Sequence, residues 1–247
     1  MLRALKAEFL KLRRARVVWW TGLAVALVPA MSASSMRVVG GGQVDTTWES
    51  FMRMGPQMMA SWWAIPLLGL AAAYTFGREF GDGTAKNMLT LPIRRETFVF
   101  AKLLVLAAWV VGLTLISIAL QALGAAMLGL PGFELRHILA AAVSSLQIAG
   151  LVFATLPVVA ALAMLERGYL PPMMFSAFAA TAALMVGAVG WGAWFPWSMP
   201  LAVTGTAFGP LVAKPTLVAG SFAIDAALFL AGLAAMLFYV DRADNTQ

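Results

Sequence analysis

The sequence predicts an all-α polytopic membrane protein with six transmembrane helices, and three observations carry that prediction. Of 247 residues, 62% are hydrophobic and 11% charged, with mean hydropathy +0.86, whereas soluble domains run at about a quarter charged. The charges gather in short stretches between apolar runs of about twenty residues or more, enough to cross a bilayer at about 1.5 Å of rise per residue. No stretch is long and polar enough to fold as a separate soluble unit, so residues 1–247 are read as a single transmembrane domain.

Residues 1–16 (MLRALKAEFLKLRRAR) read as an amphipathic interfacial helix. Leu2, Leu5, Phe9 and Leu12 recur at spacings of three and four and share one face. Arg3, Lys6, Lys11, Arg13 and Arg14 fall elsewhere around the cylinder, so the helix lies in the interface with its basic side toward membrane lipid headgroups or a partner. The spans follow at about 17–36, 57–76, 99–128, 137–165, 169–190 and 216–240. The first is uncharged throughout, which makes it a retained span, although AMSASS at 30–35 imitates a signal-peptide cleavage site.

Charge bias sets the expected orientation. Of 17 Lys and Arg, only Arg37, Arg53, Arg136 and Lys214 fall on one side of the spans. The others lie at the N-terminus, in 77–102, at 166–167 and in the tail after Asp241, which the positive-inside rule puts in the cytoplasm with both termini.

Residues 168–213 carry no charge, which is more than one crossing needs. Their second half holds Trp191, Trp194, Trp197, Pro196, Pro200 and Pro210. Prolines break helices and tryptophans favour the membrane–water boundary. Short re-entrant or interfacial helices between spans five and six are therefore expected; a seventh span, with the C-terminus outside, is the alternative. The many Ala and Gly in the spans suit close helix packing or dimerisation.

Catalytic chemistry is poorly supplied. The sole histidine, His137, sits beside Glu134 and Arg136 at a span end, and no G-x-S-x-G or H-E-x-x-H occurs. Cysteine is absent, which excludes disulfides and thiol chemistry in this chain. G-D-G-T at 81–84 lacks the lysine of a Walker A loop, so no ATP binding by that device is expected. The net charge of +6 and pI near 10.2 belong with residues flanking spans and point to anionic lipid rather than nucleic acid. Thioethers at Met31, Met36, Met52, Met54, Met58 and Met59 would suit Cu(I), but methionine is also ordinary adaptable filler, and no metal site is assigned. Asp225 is the one clear intramembrane acid. Such groups are functional suspects, and Asp225 carries the competing reading of an ion-coupled secondary transporter or channel.

Residues 77–102 hold Arg78, Glu79, Asp82, Lys86, Arg94, Arg95, Glu96 and Lys102 between two uncharged runs. On the basic side of the membrane, this loop is a docking surface for something soluble. Its pattern E-x-x-x-G-T … L-x-L-P-x-x-R-x-x-x-x-x-x-K is carried by Glu79, Gly83, Thr84, Leu89, Leu91, Pro92, Arg95 and Lys102. It resembles the permeases of ABC-2 type exporters, most closely those for bacitracin export and lantibiotic immunity.

The resemblance implies that part of the 77–98 loop forms a cytoplasmic coupling helix, between spans two and three, seated in a cleft of a separate ATPase subunit. The N-terminal helix would pack beside it. Gly83 and Pro92 can bound such a helix, Thr84 can cap it, and Leu89 and Leu91 can give it an apolar contact. Lys86, Arg94 and Arg95 would meet acidic groups on the ATPase, while Glu79 would tie the loop to a basic neighbour. Further implications are two ATPase copies binding ATP and Mg, no cofactor in this chain, a second permease copy in a homodimer, and the bacterial cytoplasmic membrane. The expected cargo is amphipathic or hydrophobic: an antimicrobial peptide, an antibiotic or a lipid.

Overall fold

A computed structural model of the chain describes residues 2–13, 15–39, 46–81, 95–205 and 216–242, and all regular structure among them is helical. The helices are α1 (Leu2–Arg13), α2 (Arg16–Val39), α3 (Trp48–Met58), α4 (Ala64–Gly81), α5 (Arg95–Met127), α6 (Leu135–Leu165), α7 (Leu170–Ala188), α8 (Met199–Thr204) and α9 (Ala219–Arg242). A π-helical turn, Met59–Trp63, joins α3 to α4, and a 3-10 turn, Pro196–Ser198, leads into α8. Among the described residues six stretches are long and apolar enough to cross a membrane: Arg16–Met36, Trp48–Arg78, Glu96–Met127, Leu135–Leu165, Leu170–Ala188 and Ala219–Asp241.

The second span begins nine residues earlier than the apolar run at 57–76 indicates, because α3 continues into it. Thr47 starts α3 with a capping box: its side chain accepts from the Ser50 backbone N–H, and the Ser50 hydroxyl accepts from that of Thr47. Pro56 lacks an N–H and sits inside the helix. Three residues on, the backbone passes through the π-helical turn, a common way to absorb such an interruption without ending a helix.

α6 is the central helix and packs against α3, α4, α5, α7, α8 and α9. Its buried positions include Ile148, Val152, Leu156, Val159, Ala160 and Ala163. With lipid as solvent, association rests on van der Waals fit, and small residues bring backbones together. At Gly232 of α9 an added Cβ would stand 2.7 Å from the Pro157 carbonyl carbon of α6, so only glycine permits this approach.

Between α7 and α9 the described chain forms the Pro196–Ser198 turn and the short helix α8, which pack on the bundle. Met199 and Leu201 are buried, Trp197 meets Phe175 edge-on with centroids 5.7 Å apart, and the buried Ser198 hydroxyl donates to the Gly192 carbonyl at 2.8 Å. Gly205, with φ 61°, closes α8 in a left-handed conformation. Pro210 lies outside the described residues.

Candidate functional site

One end of the bundle gathers α1, the C-terminal end of α4 and the N-terminal end of α5. Its centre is Lys102 of α5, 2% exposed. The ammonium donates to the Thr75 carbonyl of α4 at 2.6 Å and lies 3.4 Å from Glu8 Oε2 of α1. It also stands 5.0 Å from the Phe98 ring centroid and 5.6 Å from that of Phe76, within cation–π range. Lys11 holds the other oxygen of the carboxylate, Nζ to Oε1 at 2.7 Å. Burial pushes the Glu8 carboxyl up, but the Lys102 and Lys11 ammoniums outweigh it and hold its pKa below the usual value of 4.5. Beside this junction Arg78 donates to the Tyr74 hydroxyl at 3.0 Å and stacks over its ring. A cavity of about 20 Å³ lies between Glu8, Lys11, Tyr74, Thr75, Arg78 and Lys102, room for about one water.

The same end of α4 is fixed from a second side. A Cβ at Gly77 would stand 2.6 Å from the Gly168 carbonyl oxygen in the turn joining α6 to α7. Helix α4 therefore touches that turn backbone to backbone, just where it leads toward residue 82.

Sequence reasoning singled out Lys102 but missed Glu8. Along α1 the face turned to the bundle carries Glu8, 7% exposed, and Leu12, which packs on the core, while Phe9 is 44% exposed and Leu10 50%. The predicted apolar stripe is thus partly displaced, with a carboxylate at its best-buried described position. The signal was present: Glu8 is the one acidic residue within 1–16, three residues after Leu5 and four before Leu12. Gly83, Thr84, Lys86, Leu89, Leu91, Pro92, Arg94 and Arg14 lie outside the described residues, as do the side chains of Leu2, Arg13, Glu79 and Arg95. The backbone of residue 95 opens α5, so 82–94 is bracketed by α4 and α5, the two helices that Lys102 ties to α1.

The opposite end is organised differently. Gln121 of α5 donates to the Phe51 carbonyl of α3 at 2.7 Å in a buried position, and Trp48 packs edge-on against Phe133. His137 Nε2 lies 3.8 Å from Glu49 Oε2. Two cavities adjoin there, sharing Val203 and Thr204 in their walls. One, of about 240 Å³, is lined by Glu49, Arg53, Gln57, His137 and Ser144; the other, of about 740 Å³, by Gln147, Leu151, Thr216 and Phe222. Met52 and Met59 are packed into the interior, and the Met31 sulfur accepts from the Trp63 indole N–H at 3.3 Å. Asp225 of α9 is 4% exposed, and its Oδ1 has no hydrogen-bond partner among the described residues; Lys214, a partner considered from sequence, lies outside them.

Six spans, one of them central, with a polar junction where two others bracket a charged loop, define a multi-pass membrane subunit. The model of the ABC-2 family transporter protein matches residues 4–183, from α1 into α7, and the chain belongs to that family. It is a multi-pass permease of the kind that partners an ATPase subunit. Over 190 residues it is 29% identical to the bacitracin transport permease protein BCRB of Bacillus licheniformis, an alignment covering 73% of this chain and 85% of that one. No solved structure matches it.

Proposed function

We propose that this chain is the membrane-spanning subunit of an ATP-driven exporter, and that residues 77–98 receive the force of a cytoplasmic ATPase. The observation that carries the reading is the buried Glu8–Lys102 junction. It joins α1 to α4 and α5, so a push on 82–94 reaches three helices as one body rather than bending a loose loop. Two permease copies above two ATPase copies, both termini in the cytoplasm, would then re-pack between states with different access to cargo. Lys86, Arg94 and Arg95 supply charge toward the ATPase, Leu89 and Leu91 its apolar contact.

The relative transports bacitracin by its name, which favours an antimicrobial peptide or a comparable amphipathic or hydrophobic molecule as cargo. The adjoining cavities at the far end, one with charged residues in its wall and the other uncharged with both polar and apolar residues, suit such a molecule. The competing ion-coupled reading rests on Asp225, which lies beyond the stretch the family model matches.

The test begins with purification from native membranes. A co-purifying Walker-A subunit whose ATPase activity is coupled to export is the expected result. Arg95→Glu should leave insertion intact and abolish export while hydrolysis continues; normal export in that variant would refute the coupling role.

A further inference from the structure

Beside the junction runs a groove of about 730 Å³ between α1, α2 and α4, a volume typical of ligand sites. Each helix contributes one cation to it: Lys11 from α1, Arg16 from α2 and Arg78 from α4. No Asp or Glu stands among the described residues lining it. The remaining wall is apolar, formed by Ala7, Leu10, Ala15 and Val17, with the Tyr74 ring between. Leu10, one of these lining residues, is half exposed.

We propose that this groove binds an anionic phospholipid from the leaflet on the α1 side. Lys11 already holds Glu8 on its junction side, and a phosphate in the groove adds an attraction to each of the three cations. Arg16 and Arg78 provide planar guanidiniums that match phosphate oxygens, whereas Lys11 acts as a point charge. Arg78 is already oriented by its bond to the Tyr74 hydroxyl and its stacking on that ring. The apolar wall accepts the start of an acyl chain, which a free anion does not need. That division, three cations at one side and aliphatic surface at the other, commits the site to a lipid rather than to a soluble anion. Basic pockets between spans on the cytoplasmic side are physically suited to anionic headgroups.

The site also reaches the junction. Lys11, Tyr74 and Arg78 line both the groove and the small cavity that contains Glu8 and Lys102. A headgroup bridging α1, α2 and α4 therefore holds α1 against the bundle in addition to Glu8, so anionic lipid tightens the element that Lys102 anchors.

The experiment uses the full chain, purified from mixed phosphatidylcholine and phosphatidylglycerol, with retained lipids counted by native mass spectrometry. Wild type should retain phosphatidylglycerol in preference to phosphatidylcholine. A basic residue near an anionic surface contributes about a fivefold factor, so Arg16→Gln with Arg78→Gln should weaken that preference about 25-fold. Arg16 is exposed, so Arg16→Gln alone is a fold-safe variant and should cost about fivefold. Amide exchange in α1 should be slower in phosphatidylglycerol nanodiscs than in phosphatidylcholine nanodiscs, and this difference should vanish in the double variant. Equal retention of the two lipids, or an unchanged preference in both variants, overturns the proposal. Displacement of the retained lipid by millimolar inorganic phosphate also overturns it, because the site then belongs to a soluble anion. None of these readouts requires the ATPase, so the lipid site and the exporter reading fail separately.

Discussion

Replacing Glu8 by Gln keeps the size of the side chain and removes the charge that faces Lys102. The side chains are 8% and 2% exposed and the cavity beside them has room for about one water, so bulk solvent does not replace the lost carboxylate. Breaking a buried pair by removing one partner costs about 3–5 kcal/mol. Lys102 retains the Thr75 carbonyl and the Phe76 and Phe98 rings. Aromatic faces contribute about 0.5–2 kcal/mol to a nearby cation, which lowers the expected loss to about 2–3 kcal/mol. The loss falls on the docking of α1 rather than on the whole bundle, because α1 meets the bundle chiefly along α5. At about tenfold per 1.4 kcal/mol, the undocked population of α1 should rise about 30- to 150-fold. Hydrogen exchange of α1 amides, read by mass spectrometry on the purified chain, measures that population directly. Exchange of the α6 amides serves as the control and should not change. If Glu8→Gln leaves α1 exchange within about threefold of wild type, the junction is not what holds α1 and the force-transfer argument fails with it.

Three further outcomes are expected. Because the Glu8 pKa lies below its usual 4.5 in the folded chain, its contribution is complete above that value and is lost as the pH falls beneath it; α1 protection, corrected for intrinsic exchange, should be flat from neutral pH down to that range and then drop, and Glu8→Gln should remove the drop. Gly77→Ala places a methyl 2.6 Å from the Gly168 carbonyl oxygen and should lower thermal stability by about 1–3 kcal/mol, the usual cost of overpacking, whereas alanine at Gly112, where nothing lies within 4 Å of a Cβ, should not. Asp225→Asn should preserve export in reconstituted vesicles and leave stability equal or higher, since it removes an ionisable group with an unpartnered oxygen among the described residues; loss of export with assembly intact would favour the ion-coupled reading.

What was legible in the sequence follows from what each signal reports. Apolar runs and their flanking charges are one-dimensional, so all six spans were visible, with ends within a few residues except at α3. There Glu49, Arg53, Gly55 and Pro56 interrupt the apolar window, yet capping and the π-helical turn keep the helix continuous. The spacing Thr47–Ser50 held the start signal, but a serine at the third position is a weaker cue than glutamate. Glu8 escaped because periodicity arguments score apolar positions, and its partner lies 94 residues away (102 − 8) on another helix. Lys102 was legible only as part of a pattern; its surroundings depend on Phe76 and Phe98, from two helices, placing their rings against its ammonium. The groove beside Arg16 and Arg78 has no local signature, since its three cations come from three helices.

The Glu8–Lys102 contact also imposes an order on how the protein is made. Glu8 leaves the ribosome first and waits through the 94 residues that separate it from Lys102, about 5–20 s at ordinary synthesis rates. During that interval the α1 carboxylate has Lys11 beside it but not the buried ammonium. Helix α1 acquires its Lys102 contact only when α5 is in place next to α4, the two helices on either side of residues 82–94. A chain that ends before residue 102 therefore lacks the buried ammonium that Glu8 meets in the folded protein.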